Sequence, residues 1–240
     1  MSHARITQSE ISDTLIERPI TFTLRRRRFA LYPPTLGKVQ LISRLWGEIN
    51  PTAMTGKTQL ELLSGILSSA RTRRGDCLRL LAYATLPGAE CINENSVSRR
   101  IKELSHIDTA DLASLVVTAV SMDKTGAIQS YYEIDRESER MKRVLACKDK
   151  ESGSASFGGK AVWGTLIDTA CERYGWSYQY VLWGISFTNL QLLLSDQVRT
   201  IFLSEDERKR ARKYLTADSD AVRAEDAKSL RAFVKSENWS

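Results

Sequence analysis

The chain has 240 residues, 42% of them hydrophobic and 27% charged, which is enough to bury a core without staples and too apolar for a disordered polyelectrolyte. The net charge of +6 and pI near 9.2 suit nucleic acid or an acidic protein as partner, but spread over this length they describe an ordinary solvated surface. No apolar run reaches the roughly 18 residues of a membrane span, and no N-terminal segment has the pattern of a secretory signal. Cys77, Cys91, Cys147 and Cys171 are scattered without a C-x-x-C pair, which predicts reduced thiols in the cytosol.

Residues 1–18 are polar with a weak apolar patch at Ile11, Leu15 and Ile16, either a loosely held arm or a short docked helix. Ile20, Phe22 and Leu24 alternate as a strand does, and Phe29 and Leu31 resume in the opposite phase, giving a small hairpin or a bulged strand. Arg25 to Arg28 then fall at its tip or edge, where charge discourages edge-to-edge pairing. Thr35 is placed to cap a helix with apolar positions Leu36, Val39, Ile42, Leu45, Trp46 and Ile49. Further helices are predicted over 57–70, 76–86, 96–105 and 108–121, the last opening on Asp108 as cap. Residues 127–150 read as one long charged helix, and 151–159 as a linker of small residues.

The stretch 159–196 holds three of the five tryptophans and three of the eight tyrosines. Its spacing predicts helix 160–173, a stop at Gly175, a short helix 178–183 capped by Ser177, and a helix 187–202 capped by Ser186. Such a unit either closes a core or presents a face to another chain, with self-association as one form of the latter. Tyr180 and Trp183 lie three apart, and Trp176 and Phe187 flank them, so these four rings are expected to converge. Ser204 opens a capping box for 205–215, and a charged helix is predicted over 219–234. The expected architecture is mainly α, a helical bundle with a small N-terminal β-hairpin or bulged strand. Its parts are 1–151, a linker 152–159, and an aromatic-rich module 160–240.

Three strings invite chemistry. Residues 51–58 end in Gly56-Lys57-Thr58, as a phosphate-binding loop does, but carry proline where the first glycine belongs and follow a helix rather than a strand. Residues 92–104 resemble the recognition helix of winged helix-turn-helix regulators, with Ser96, Ser98, Arg99 and Arg100 facing a groove. The connection from the preceding helix is longer than that motif's turn, however, and no wing follows. The only histidines are His3 and His106, the carboxylates sit in alternating-sign helical runs, and metal-ligand spacing is absent, so neither catalysis nor a metal or other cofactor is expected.

Residues 29–38, Cys77-Leu-Arg-Leu-Leu-Ala-Tyr-Ala-Thr-Leu86, and Tyr174-Gly-Trp-Ser-Tyr-Gln-Tyr-Val-Leu-Trp-Gly-Ile-Ser-Phe187 followed by Asn189-Leu-Gln191 together resemble phage tail assembly chaperones, particularly those of phages and prophages of Bacteroides-like hosts. The resemblance spans about residues 20 to 205. It implies a non-enzymatic, mainly helical protein that binds the tape-measure protein in the host cytoplasm, helps tail-tube subunits assemble on it, and is absent from the finished virion. The partner surface then falls on Trp163, Trp176, Tyr178, Tyr180, Trp183, Phe187 and Asn189. The competing expectation is a basic DNA-binding regulator acting through residues 92–104.

Overall fold

The computed structural model describes residues 6–49, 59–149, 160–196 and 200–215, with 59–64 described by backbone alone. In chain order the elements are α1 (Gln8–Leu15), β1 (Ile20–Leu24), β2 (Arg27–Leu31), α2 (Leu36–Ile49), α3 (Gln59–Thr72) and α4 (Arg74–Thr85). A 3₁₀ turn (Gly88–Ile92) leads to α5 (Glu94–Leu104), α6 (Thr109–Val120), α7 (Thr125–Tyr131), α8 (Ile134–Leu145), α9 (Val162–Tyr174), α10 (Tyr178–Trp183), α11 (Phe187–Ser195) and α12 (Glu205–Leu215). The fold is mainly α with one small antiparallel hairpin near the N-terminus. It forms two compact units, residues 1–134 with 157–197, and residues 135–156 with 198–240. Helices α9 to α11 therefore belong with the N-terminal elements, whereas the sequence suggested a break at 151–159, a stretch outside the described residues.

In the first unit the hairpin turns on Arg25 and Arg26, both at positive φ (46° and 66°), the geometry that a two-residue connection needs to match strand twist. Leu24 pairs with Arg27 and Phe22 with Phe29, whose rings stack 5.5 Å apart. The element is thus a regular hairpin and not a bulged strand. Phe29 and Leu31 point into the main core, which surrounds α4. Cys77, Leu80, Leu81 and Ala82 are all fully buried there, so most of the α4 surface faces the core, and Asp76 and Arg79 mark its one polar side. Helices α2, α3, α5 and α6 pack around it. The Tyr32 N–H donates to Ala84 O at 3.0 Å and ties the end of β2 to the end of α4.

Several caps follow the sequence: Asp108 accepts from the N–H groups of Ala110 and Asp111, and Gly175 ends α9 in the left-handed region (φ 64°). Thr35 does not act as expected, because its buried Oγ1 has no hydrogen-bond partner; it forms a backbone bridge with Ser186 instead. Asn93 caps α5, which starts at Glu94, two residues before the predicted start. The polar N-terminus is a docked helix, with a Thr7–Glu10 capping box and Ile11 fully buried.

The long helix predicted over 127–150 is broken at Glu133, which sits at φ 54°. On a continuous helix Ile128 and Ile134 would lie about 120° apart; with the break, both enter a small core with Ile11 and Leu192. Helix α11 stops at Ser195 instead of running to 202, and Phe202 lies in a non-helical stretch, 81% exposed. The predicted helix over 219–234 and the Gly56-Lys57-Thr58 string lie outside the described residues.

The second unit rests on polar ties between α8, the residues after it, and α12. The Ser204–Glu207 capping box forms as predicted, and Glu207 Oε1 also accepts from the Asp149 N–H at 2.8 Å. These backbone donors at Ser204 and Asp149 hold the Glu207 carboxyl below its usual range. Arg210 pairs with Asp149 at 2.8 Å, and Arg140 Nε donates to Tyr214 O at 2.9 Å.

Candidate functional site

The aromatic stretch folds into a tight sequence of short helices because each joint carries the residue it requires. After Gly175 lets the chain reverse, Ser177 Oγ accepts from the Tyr180 N–H (3.2 Å) and Ser186 Oγ from the Asn189 N–H (3.3 Å). Leu36, Ala170, Val181, Ile185, Phe187 and Leu190 form a second small core that binds α9, α10 and α11 to the start of α2. The Phe187 N–H donates to Pro34 O at 2.8 Å across the same seam.

The rings expected to converge divide among three contacts. Trp176 lies between Tyr174, stacked at 4.6 Å, and Tyr180, edge-on at 5.1 Å. Phe187 is buried and meets Trp163 at 5.9 Å. Trp183 turns the other way, onto Gly37 of α2 and the main core. Two glycines explain the divergence: the Tyr180 ring covers Gly184, with Cε2 2.7 Å from where a Cβ would stand, and Trp183 covers Gly37 in the same manner.

What reaches the surface is a smaller set. Trp163 is 44% exposed, Tyr178 57% and Tyr180 43%, with Trp176 half-buried behind them. Arg173 lies 5.8 Å over the Tyr174 ring, and the Tyr174 hydroxyl donates to Leu193 O at 2.8 Å, which anchors the Tyr174–Trp176–Tyr180 group. Large rings held on short, capped helices offer contact area at little entropic cost. Asn189 does not join the rings. Its Nδ2 donates to Leu15 O (3.1 Å) and to Glu17 Oε1 (3.0 Å), and that same carboxylate accepts from the Ser186 N–H at 2.8 Å.

Helix α5 places Ser98 and Arg99 outward and leaves Ser96 half-buried. Arg100 folds back: its Nη1 donates to Thr85 O at 2.8 Å, its Nε meets Glu103 at 3.1 Å, and its guanidinium lies 5.5 Å over Phe29. Arg74 likewise donates to Ser105 O and Ile107 O. These arginines tie helix ends together. Among the described residues no His, Cys, Asp and Glu group could hold a metal, and no helix is long and apolar enough to cross a membrane.

Two features of the site have no sequence signal that reasoning could have used. The Glu17 link to Ser186 and Asn189 spans some 170 residues of chain, and Lys38, a charged residue in the first turn of α2, is only 1% exposed. Its amine lies 5.2 Å over the Tyr32 ring, and burial pushes it down to about 8. No family model, curated protein or solved structure matches the chain.

Proposed function

We propose that this protein is a non-enzymatic phage tail assembly chaperone which takes an amphipathic helical segment of a tape-measure protein against the face of α9 and α10 and helps tail-tube subunits assemble around it. The observation that carries this reading is the exposure of Trp163, Tyr178 and Tyr180 on a rigid, capped framework, since rings of this kind are the usual anchors of helix-in-groove recognition. The site of action in this reading is the host cytoplasm, and the protein leaves before the virion is complete. The test is co-expression with the product of a long coiled-coil reading frame next to the gene. Affinity capture recovers that product with the wild-type chain and loses most of it with Trp163→Ala plus Tyr178→Ala, whose melting temperature stays near that of the parent. Capture unaffected by the double substitution, or failing with the wild-type protein, overturns the reading. A DNA-binding role for α5 has weaker support, because Arg100 is occupied by Thr85 and Glu103.

A further inference from the structure

We propose that the outer edge of β2 is a docking site for an extended acidic segment of a partner polypeptide, which adds to the hairpin as a third strand. The two-residue connection at Arg25 and Arg26 makes Leu24 and Arg27 a hydrogen-bonded pair. Such pairs alternate along an antiparallel ladder, so Phe29 and Leu31 also bond toward β1, and Arg28 and Ala30 turn their N–H and C=O groups the other way. Tyr32, next in that phase, follows the same direction, because its N–H leaves the sheet for Ala84 O. Among the described residues the outward main-chain groups of Arg28 and Ala30 have no hydrogen-bond partner. They border a groove of about 620 Å³ whose far wall is Thr85, Pro87, Glu90 and Arg100. Three residues of an added strand, about 10 Å long, 4.8 Å across and 10 Å through, take roughly 480 Å³, so the groove has room for a strand that spans the open edge.

The edge selects a polypeptide, and the arginines select its charge. A row of alternating donors and acceptors is matched by another main chain. A phosphate backbone only accepts, and it would leave the carbonyls of Arg28 and Ala30 facing its oxygens. Arg27 is held by Glu103, but Arg25, Arg26 and Arg28 have no ion-pair partner among the described residues. Arg25 and Arg26 also stand at positive φ, where Asn and Gly would be more stable, so the tip keeps its charge at the expense of stability. A carboxylate opposite Arg28 on the added strand gains a cross-strand ion pair, whereas a second copy of this chain would bring its own four arginines. The same charge that keeps apolar and basic edges away thus admits an acidic one. This edge is separate from the exposed rings of α9 and α10, and the inference does not rest on the tail-assembly reading.

The experiment follows backbone amides of the full-length protein by NMR during titration with a blocked hexapeptide of alternating threonine and glutamate, and with its threonine–lysine counterpart. The acidic peptide is expected to shift the Arg28 and Ala30 amides and to slow their hydrogen exchange, while exchange at Thr21 and Thr23 on the far edge of β1 stays unchanged. The lysine peptide is expected to bind about tenfold more weakly. N-methylation of one alternate set of peptide amides, which removes the donors aimed at β2, should abolish binding, and methylation of the other set should leave it nearly unchanged. Arg28→Glu should invert the preference between the two peptides, and Ala30→Pro, which deletes one outward donor, should weaken the acidic peptide about tenfold. If Ala30→Pro does not fold, Arg28→Glu and the methylated peptides decide. The proposal is overturned by unchanged Arg28 and Ala30 amides at about 2 mM acidic peptide, by equal affinity for the two peptides, or by equal effects of the two methylation patterns. A DNA duplex that shifts the same amides at lower concentration, or edge-to-edge dimers in sedimentation that the acidic peptide does not dissociate, would overturn the choice of occupant.

Discussion

The ring of Trp183 occupies the space that a Cβ at Gly37 would need: its Cε3 lies 2.8 Å from that point, with Cζ3 and Cη2 closer still. This contact joins α10 to α2 and accounts for a glycine in the first turn of α2. Gly37→Ala is therefore expected to destabilise by about 1–3 kcal/mol through overpacking. Gly47, exposed in the same helix with nothing within 4 Å of a Cβ, supplies the control, and Gly47→Ala should stabilise by about 0.5–1 kcal/mol. Urea unfolding of the two variants checks both signs.

Truncating the aromatic rings should separate core from surface. Trp183→Ala removes a ring packed against the main core and is expected to cost about 3 kcal/mol or more. Tyr178→Ala, at a position 57% exposed, should stay within about 0.5 kcal/mol of the parent. Partner capture by Trp183→Ala then falls only in proportion to its unfolded fraction, and that by Tyr178→Ala falls in a fully folded protein. Paired melts and capture assays distinguish the two.

Lys38 makes stability depend on pH in a specific direction. Burial lowers its amine from 10.5 to about 8, against a small opposing influence of the buried Cys91. Between those values the unfolded chain holds a proton that the folded chain has released, so this group's contribution to stability rises with pH across the window and levels off above it. Lys38→Met removes the dependence and should gain about 3 kcal/mol at neutral pH relative to its advantage near pH 10.5. Unfolding free energies of both proteins from about pH 7 to 10.5 test this, and the difference between them isolates Lys38 from the thiols. A constant difference would contradict the assignment.

The arginines of α5 should behave unlike one another. Arg100→Ala breaks the bond to Thr85 O and the pair with Glu103, costing about 1–3 kcal/mol, whereas the exposed Arg99→Ala should be near neutral. Binding to duplex DNA is expected to be weak and to drop about tenfold or more between 50 and 200 mM salt. A salt-resistant complex with one duplex, abolished by Arg99→Ala, would move the reading to a DNA regulator.

At the hairpin tip, Arg25 and Arg26 occupy positive φ without the side chains that favour it. Replacing them with Asn and Gly should raise stability by about 1 kcal/mol if turn geometry is what matters there. The change is read by thermal melts.

Elements set by local spacing were legible in the sequence: the alternation of Ile20, Phe22 and Leu24, the caps Asp108, Ser177 and Ser186, and the stop at Gly175 all appear where periodicity and cap chemistry place them. What was not legible depends on partners distant in the chain. The break at Glu133 accompanies the entry of Ile128 and Ile134 into one core with Ile11 and Leu192, and a charged run with no proline gives no sign of that. The four rings expected to converge divide for the same reason. Tyr180 and Trp183 have the spacing of one face with Trp176 and Phe187 beside it, but Gly37 draws Trp183 to one side and the second small core takes Phe187.

The bonds from Ser186 and Asn189 to Glu17 and Leu15 also set an order of events during synthesis. Glu17 is made 169 residues before Ser186, and Leu15 is made 174 before Asn189. At about 5–20 residues per second, translation separates these groups by roughly 8 to 35 seconds. Ile128, which shares a core with Ile11, is made about two thirds of the way through that interval and Leu192 only after it, so the full docking of the N-terminal helix is a late step.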